Sequence, residues 1–149
     1  MWYAAKMPQV SGIRKSGGTC RVLIVEDDFD TAELLCILVQ EAGHECQVAL
    51  NAQEARAITE GFKPEVALVD IGLPGEDGYR LVHTLKADPS LVGCRFVALT
   101  GYQVTGMPEL SRDAGFEAHL TKPVSSELVL AILDECAADL ATPIAQPGT

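Results

Sequence analysis

Positive charge is scarce in this chain of 149 residues: 11 Lys+Arg stand against 21 Asp+Glu, a formal net charge of −10. Phosphate backbones and anionic lipid surfaces repel such a surplus, which argues against nucleic-acid binding. No apolar run reaches the ~18 residues of a membrane span, so direct membrane insertion is not expected. Residues 1–18 contain no apolar core of a signal peptide. Cysteine is scattered and odd in number. Cys20, Cys36, Cys46, Cys94 and Cys136 show neither CxxC nor Cys/His ligand spacing, which disfavours a disulfide framework or a zinc site. Free thiols acting as small buried hydrophobes in a cytoplasmic protein are the expectation.

The 48% of hydrophobic residues is enough for a real core in one domain. The charge is uneven. Residues 1–20 carry Lys6, Arg14 and Lys15 and no acid, so +3 there leaves −13 for the remainder. Residues 1–19 read as a flexible lead, 20–141 as the domain, and 142–149, with Pro143, Pro147 and Gly148, as a frayed tail. After the last helix no helix-turn-helix or basic stripe is seen, which again argues against nucleic-acid binding.

From residue 21 the pattern alternates. Arg21–Val25 is a nearly all-apolar run, as in a strand buried on both faces of a parallel sheet. Leu34, Leu35, Leu38, Val39 and Ala42 then recur at helical spacing, closed by Gly43. A strand over 45–50 leads to Asn51 with Glu54 three residues on, a capping box for a helix bearing Ala55, Ile58 and Phe62. Further strands are predicted over 65–69, 95–99 and 117–120. Helices are predicted around Leu81–Leu85, over 108–114, and through Val129, Ile132, Leu133, Cys136 and Leu140. Five strand–helix repeats imply an α/β fold with a doubly wound parallel sheet and helices on both faces. Such sheets carry their chemistry at the carboxyl ends of the strands.

Glu26-Asp27-Asp28 follow the first strand, Asp70 the third, Thr100 the fourth and Lys122 the fifth. Two carboxylates ~4 Å apart repel by about 4 kcal/mol at an effective dielectric near 20. Clustered acids therefore call for a hard divalent cation, and Mg²⁺ commonly takes one or two carboxylates plus waters or phosphate oxygens. Lys122 adds positive charge on the other side. A carboxylate beside Mg²⁺, a hydroxyl and a lysine is placed to attack phosphorus and carry an acyl phosphate. Asp70, ending a central strand before Gly72-Leu73-Pro74-Gly75, is the natural nucleophile. Each residue has a plainer role as well: Asp28 or Asp30 can simply cap the next helix.

The stretches Val22–Asp28, Leu68–Gly78, Ala98–Gly101 and Leu120–Pro123 resemble the response-regulator receiver domains of two-component signalling. The spacings fit too: 43 residues from Asp27 to Asp70, 30 to Thr100 and 22 more to Lys122. The resemblance implies a flavodoxin-like, five-stranded parallel sheet in the order 2-1-3-4-5. It makes Asp70 the phosphoacceptor, loaded in a phosphorelay by a histidine kinase or histidine phosphotransfer protein, with a downstream protein as target. Mg²⁺ or Mn²⁺ would be held by Asp70, by Asp27 directly, by Glu26 through water and by the Gly72 backbone carbonyl. Thr100 would bond the phosphoryl group and shift inward, Lys122 would pair with a phosphoryl oxygen, and the peptide bond before Pro123 would be cis.

His119 stands where this family often has Tyr or Phe, so the aromatic switch paired with Thr100 is altered. Gly72 and Tyr102 occupy positions that tune dephosphorylation, and Gly72 offers nothing to orient a water, which suggests a long-lived phosphoryl group. Homodimerisation through the fourth and fifth helices is common in the family. Residues 98–123 look more like a hybrid-kinase or stand-alone receiver than one fused to a DNA-binding domain. The resemblance implies a signalling module that catalyses only its own phosphorylation and dephosphorylation, not an enzyme. Two rivals are a degenerate receiver acting as a docking module and a haloacid-dehalogenase-type phosphatase. The latter wants a second Asp two residues past the nucleophile, where this chain has Gly72.

Overall fold

The computed structural model describes residues 18–73, 75, 77–101 and 115–141. Five strands form one parallel sheet: β1 (Arg21–Val25), β2 (Glu45–Ala49), β3 (Val66–Asp70), β4 (Arg95–Thr100) and β5 (Phe116–Thr121), in the order β2-β1-β3-β4-β5. Four described helices are α1 (Phe29–Glu41), α2 (Ala52–Phe62), α3 (Gly78–Lys86) and α4 (Ser126–Ala141). The predicted helix over 108–114, one half of the expected dimer face, lies outside the described residues, as does Tyr102; the other half, the last predicted helix, is α4.

Strand residues divide by parity between two cores, because successive side chains point to opposite faces. Val22, Ile24, Val66, Leu68, Val97 and Leu99 pack with Leu35 and Val39 of α1 and Ile132 and Leu133 of α4. Leu23, Val25, Ala67, Val69, Phe96 and Ala98 pack with Ala55 of α2 and with Leu81, Val82 and Leu85 of α3. Full burial of each large aliphatic side chain contributes about 1.5–3 kcal/mol, so apolar character on both faces is what holds β1, β3 and β4 at the centre. β2, at an edge, is only partly covered.

Local signals set the helix starts. Asn51 Oδ1 accepts the Glu54 N–H at 2.8 Å, as the capping box predicts, and Glu54 Oε1 reaches back to the Leu50 N–H at 2.8 Å. Asp28 caps α1 through the Thr31 N–H, and Asp77 caps α3 through the Arg80 N–H.

Some details depart from the sequence expectation. β3 begins and ends one residue later than predicted, because Glu65 turns its carboxylate to the Arg21 N–H at 2.9 Å while Asp70 enters the ladder opposite Leu99. Thr100 likewise belongs to β4, and β5 gains Phe116 and Thr121. Leu34, which shares the helical spacing, is 68% exposed. The buried stripe of α1 runs instead through Ala32, Leu35 and Val39.

Candidate functional site: an acidic crevice at the strand ends

The sheet register brings the site together. Val25 pairs with Val69, Asp70 with Leu99, and Thr100 with Thr121, so the carboxyl ends of four adjacent strands finish level. Glu26 and Asp27 leave β1, Asp70 closes β3, Thr100 closes β4, and Lys122 follows β5. The Glu26 N–H is fixed by Ala49 O at 3.0 Å and the Lys122 N–H by Thr100 O at 2.7 Å. Side-chain oxygens of Glu26, Asp27 and Asp70 lie within 4.8 Å of one another. At an effective dielectric near 20, two unit charges at that distance repel by roughly 3 kcal/mol.

Lys122 answers that repulsion from inside the cluster, rather than from its other side as the sequence suggested. Its Nζ is 2.6 Å from Glu26 Oε1 and 3.2 Å from Asp70 Oδ2. Glu26 is 1% exposed, and its Oε2 accepts the Asp28 N–H at 3.1 Å. Burial pushes its carboxyl above the usual carboxylate range, against the opposing pull of the Lys122 and Asp28 hydrogen bonds. Burial alone would lower the Lys122 ammonium, but its bond to Glu26 and the charge of Asp70 outweigh it and leave the group raised. With every member ionised, three carboxylates and one ammonium leave the crevice at −2.

Asp70 is buried, with Oδ1 accepting the Gly72 N–H at 2.8 Å and Oδ2 facing Lys122. A Cβ at Gly72 would start 3.6 Å from Oδ1. Thr100 is buried, and its Oγ1 has no hydrogen-bond partner among the described residues. A buried hydroxyl without a partner is uncommon and asks for a ligand or water. His119 is buried on β5 opposite Ala98, and burial lowers its imidazole below the ordinary value. The Lys122–Pro123 bond is cis.

One supporting residue carries more weight than the sequence reading gave it. A Cβ at Gly78 would meet Asp70 O at 2.7 Å and Ile71 Cα at 2.8 Å, both backbone atoms. Glycine alone lets the start of α3 close on the end of β3, where Gly78 N–H bonds Ile71 O at 3.2 Å. The signal was present as the glycine closing Leu68–Gly78, but its steric purpose shows only in three dimensions.

An acidic crevice over the level ends of a five-stranded, doubly wound sheet defines a class of α/β signalling protein, and comparison places the chain within it. The profile of the response regulator receiver domain matches residues 22–134, and the chain belongs to that family. Receiver domains pair with a histidine kinase or phosphotransfer protein and undergo phosphorylation and dephosphorylation without being classical enzymes. The polar-differentiation response regulator DivK of Brucella anthropi is 33% identical over 104 residues, covering 70% of this chain and 85% of DivK. The phosphate regulon transcriptional regulatory protein PhoB of Pseudomonas aeruginosa is 32% identical over 112 residues, covering 75% of this chain. The chain spans 49% of the length of PhoB. The crystal structure of a CheY-like receiver domain protein from Methanospirillum hungatei superposes with a TM-score of 0.74 at 28% identity, covering 83% of this chain and 97% of that one. No helix among the described residues is long and apolar enough to cross a membrane.

Proposed function

We propose that this receiver takes a phosphoryl group onto Asp70 from the phosphohistidine of a histidine kinase or histidine phosphotransfer protein, in a Mg²⁺-dependent reaction, and signals by protein–protein contact. The observation that carries the reading is the position of the Asp70 carboxylate. It is held by the Gly72 N–H on one oxygen and by Lys122 on the other, within a cluster of three acids. A carboxylate so oriented can attack phosphorus in line as the P–N bond to the donor imidazole breaks, leaving an acyl phosphate.

The donor set fits a hard cation: three carboxylates converge within 4.8 Å, all ligands are oxygens, and the crevice retains negative charge after Lys122 is counted. Asp27 and Asp70 would ligate it directly, with the Gly72 carbonyl, and Glu26, already engaged by Lys122, through water. Bound there, Mg²⁺ or Mn²⁺ would offset the charge of the incoming phosphoryl group. Lys122 would transfer part of its bonding from Asp70 to a phosphoryl oxygen. The Thr100 hydroxyl, without a partner among the described residues, would donate to another and draw the chain after β4 inward. His119 then stands as the residue that follows this movement. Gly72 exposes the acyl phosphate without a side chain to orient water, which supports a long-lived phosphoryl group, with Tyr102 as the second tuning position.

The donor must dock over this end of the sheet. α1 starts three residues after Glu26, and Phe29 and Ile37 on it are 57% and 43% exposed, with Leu34 between them. An exposed apolar face beside the crevice suits a partner's helical surface. The deciding experiment is incubation with Mg²⁺ and acetyl phosphate, read by intact mass. Wild type should gain one phosphoryl group, and Asp70→Asn and the wild type in EDTA should gain none. Equal gain in Asp70→Asn would overturn the assignment, and no gain in the wild type would favour a degenerate docking module.

A further inference from the structure

α1 ends where Gly43 turns left-handed, with φ 96°. The Gly43 N–H reaches Gln40 O at 3.0 Å and the His44 N–H reaches Val39 O at 3.2 Å, a pair of bonds that closes the helix and fixes the His44 backbone. The imidazole of His44 is buried, and its Nδ1 accepts the Cys20 N–H at 3.0 Å. The Glu45 N–H in turn donates to Cys20 O at 3.0 Å. Cys20, immediately before β1, is thus held at both of its backbone groups by two consecutive residues at the entry to β2. A side-chain nitrogen supplies the rung at which the β1–β2 ladder starts. On α4, Leu133 O accepts the Cys20 thiol at 3.9 Å, so α1, β1, β2 and α4 are tied together at this corner.

A ring nitrogen accepts a hydrogen bond only while it carries no proton, so the closed corner requires neutral His44 with its proton on Nε2. We propose that His44 is a proton-operated latch on the entry to β1. Uptake of one proton at Nδ1 turns the acceptor into a donor, sets it against the Cys20 N–H and leaves a cation in a buried position. The rung then opens, and Cys20 is released from β2. An opened corner takes up the proton as a free histidine does, at about pH 6.5, whereas the closed corner resists it. The latch is therefore shut above that pH and opens progressively below it. Glu26 and Asp27 stand at the opposite end of β1, so the latch acts on the base of the sheet and not on the crevice.

The other charged or titratable groups at this corner are Glu41 on α1, Glu45 on β2, Arg21 on β1 with its partner Glu65, Cys20 itself and Cys136 on α4. Glu41 and Glu45 are exposed, and Arg21 is paired with Glu65 at 3.5 Å. Carboxylates and guanidinium keep their charge between about pH 5.5 and 7, and thiols ordinarily titrate higher, so the imidazole is the group that changes there.

The test is nuclear magnetic resonance of the full chain labelled with nitrogen-15, recorded from pH 8 down to pH 5. At pH 8 the His44 ring should show a bare Nδ1 and a proton on Nε2. As the pH falls through the titration of that ring, hydrogen-exchange protection of the Cys20 amide should drop by about tenfold per pH unit. His44→Asn offers an amide oxygen as an acceptor that cannot titrate, and should keep Cys20 protected with no such pH dependence. A proton on Nδ1 at pH 8, Cys20 protection that persists while His44 titrates, or the same loss of protection in His44→Asn would overturn the proposal. The wild-type measurement requires no substituted chain to fold, and its outcome does not depend on phosphorylation.

Discussion

Replacing Lys122 by methionine removes the cation that bridges two carboxylates while keeping a side chain of similar length. At 2.6 Å from Glu26, with an effective dielectric near 20, the lost attraction is about 6 kcal/mol before desolvation is counted. The Lys122 side chain is 26% exposed and sheds part of its desolvation cost on release, so the net loss is smaller. Removing one partner of a buried pair typically costs about 3–5 kcal/mol, and this half-open geometry belongs at the low end, about 3 kcal/mol. Glu26 would keep only the Asp28 N–H on its second oxygen. Urea unfolding followed by far-UV circular dichroism, at neutral pH in EDTA, reads the loss as a midpoint lowered by about 1.5 M for a slope near 2 kcal/mol/M. Adding Glu26→Gln to the same chain should restore part of the stability, because the more deeply buried of the two carboxylates that lose the ammonium is then neutral, while Asp70 keeps the Gly72 N–H. Mg²⁺ should stabilise Lys122→Met more than it stabilises the wild type. If the single and double variants unfold at the same urea concentration, the penalty does not arise from an orphaned Glu26 and the electrostatic account of the crevice fails.

Other substitutions test separate parts of the arrangement. Gly78→Ala should cost about 2 kcal/mol through overpacking and slow phosphoryl uptake, because its Cβ would press on the backbone of Asp70 and Ile71. Unchanged stability and uptake would show that the close approach of α3 is dispensable. Thr100→Val should leave the unphosphorylated domain as stable, or more so by about 1 kcal/mol, since a buried hydroxyl without a partner among the described residues is removed. Its spectral response to the beryllium-fluoride phosphoryl mimic should be lost, and a wild-type response would contradict a donor role. His119 is depressed by burial, so the unfolded chain binds its proton first, at about pH 6.5. The stability it contributes is therefore present above that pH and declines as pH falls towards its folded value. His119→Phe should flatten this part of the curve, and a decline of the same size in both chains would assign it elsewhere.

How much of this was readable from residues alone varies with the physics involved. Arg21–Val25 announced a doubly buried strand because burial on two faces leaves no polar alternation, and Asn51 with Glu54 announced a helix start because capping is local chemistry. The strand-end groups were legible for the same reason: a parallel sheet puts them on one edge. Effects set by register and packing were not. Asp70 and Thr100 lie within their strands because the ladder runs one residue further than the apolar pattern. Leu34 shares the helical period yet faces outward, since spacing cannot say which flank of an apolar stripe meets the core. Lys122 sits between Glu26 and Asp70 through contacts across four strands. The steric demand for Gly78 is likewise a tertiary fact.

The central claim is that Asp70, and neither of its acidic neighbours, carries the phosphoryl group. The most direct measurement is borohydride reduction of the protein after loading with acetyl phosphate and Mg²⁺, followed by peptide mapping. Reduction turns an aspartyl phosphate into homoserine and leaves free carboxylates untouched. The account predicts homoserine at position 70 alone, and none when EDTA replaces Mg²⁺. A reduced side chain at Glu26 or Asp27, or a phosphoryl group that survives borohydride on another residue type, would contradict it.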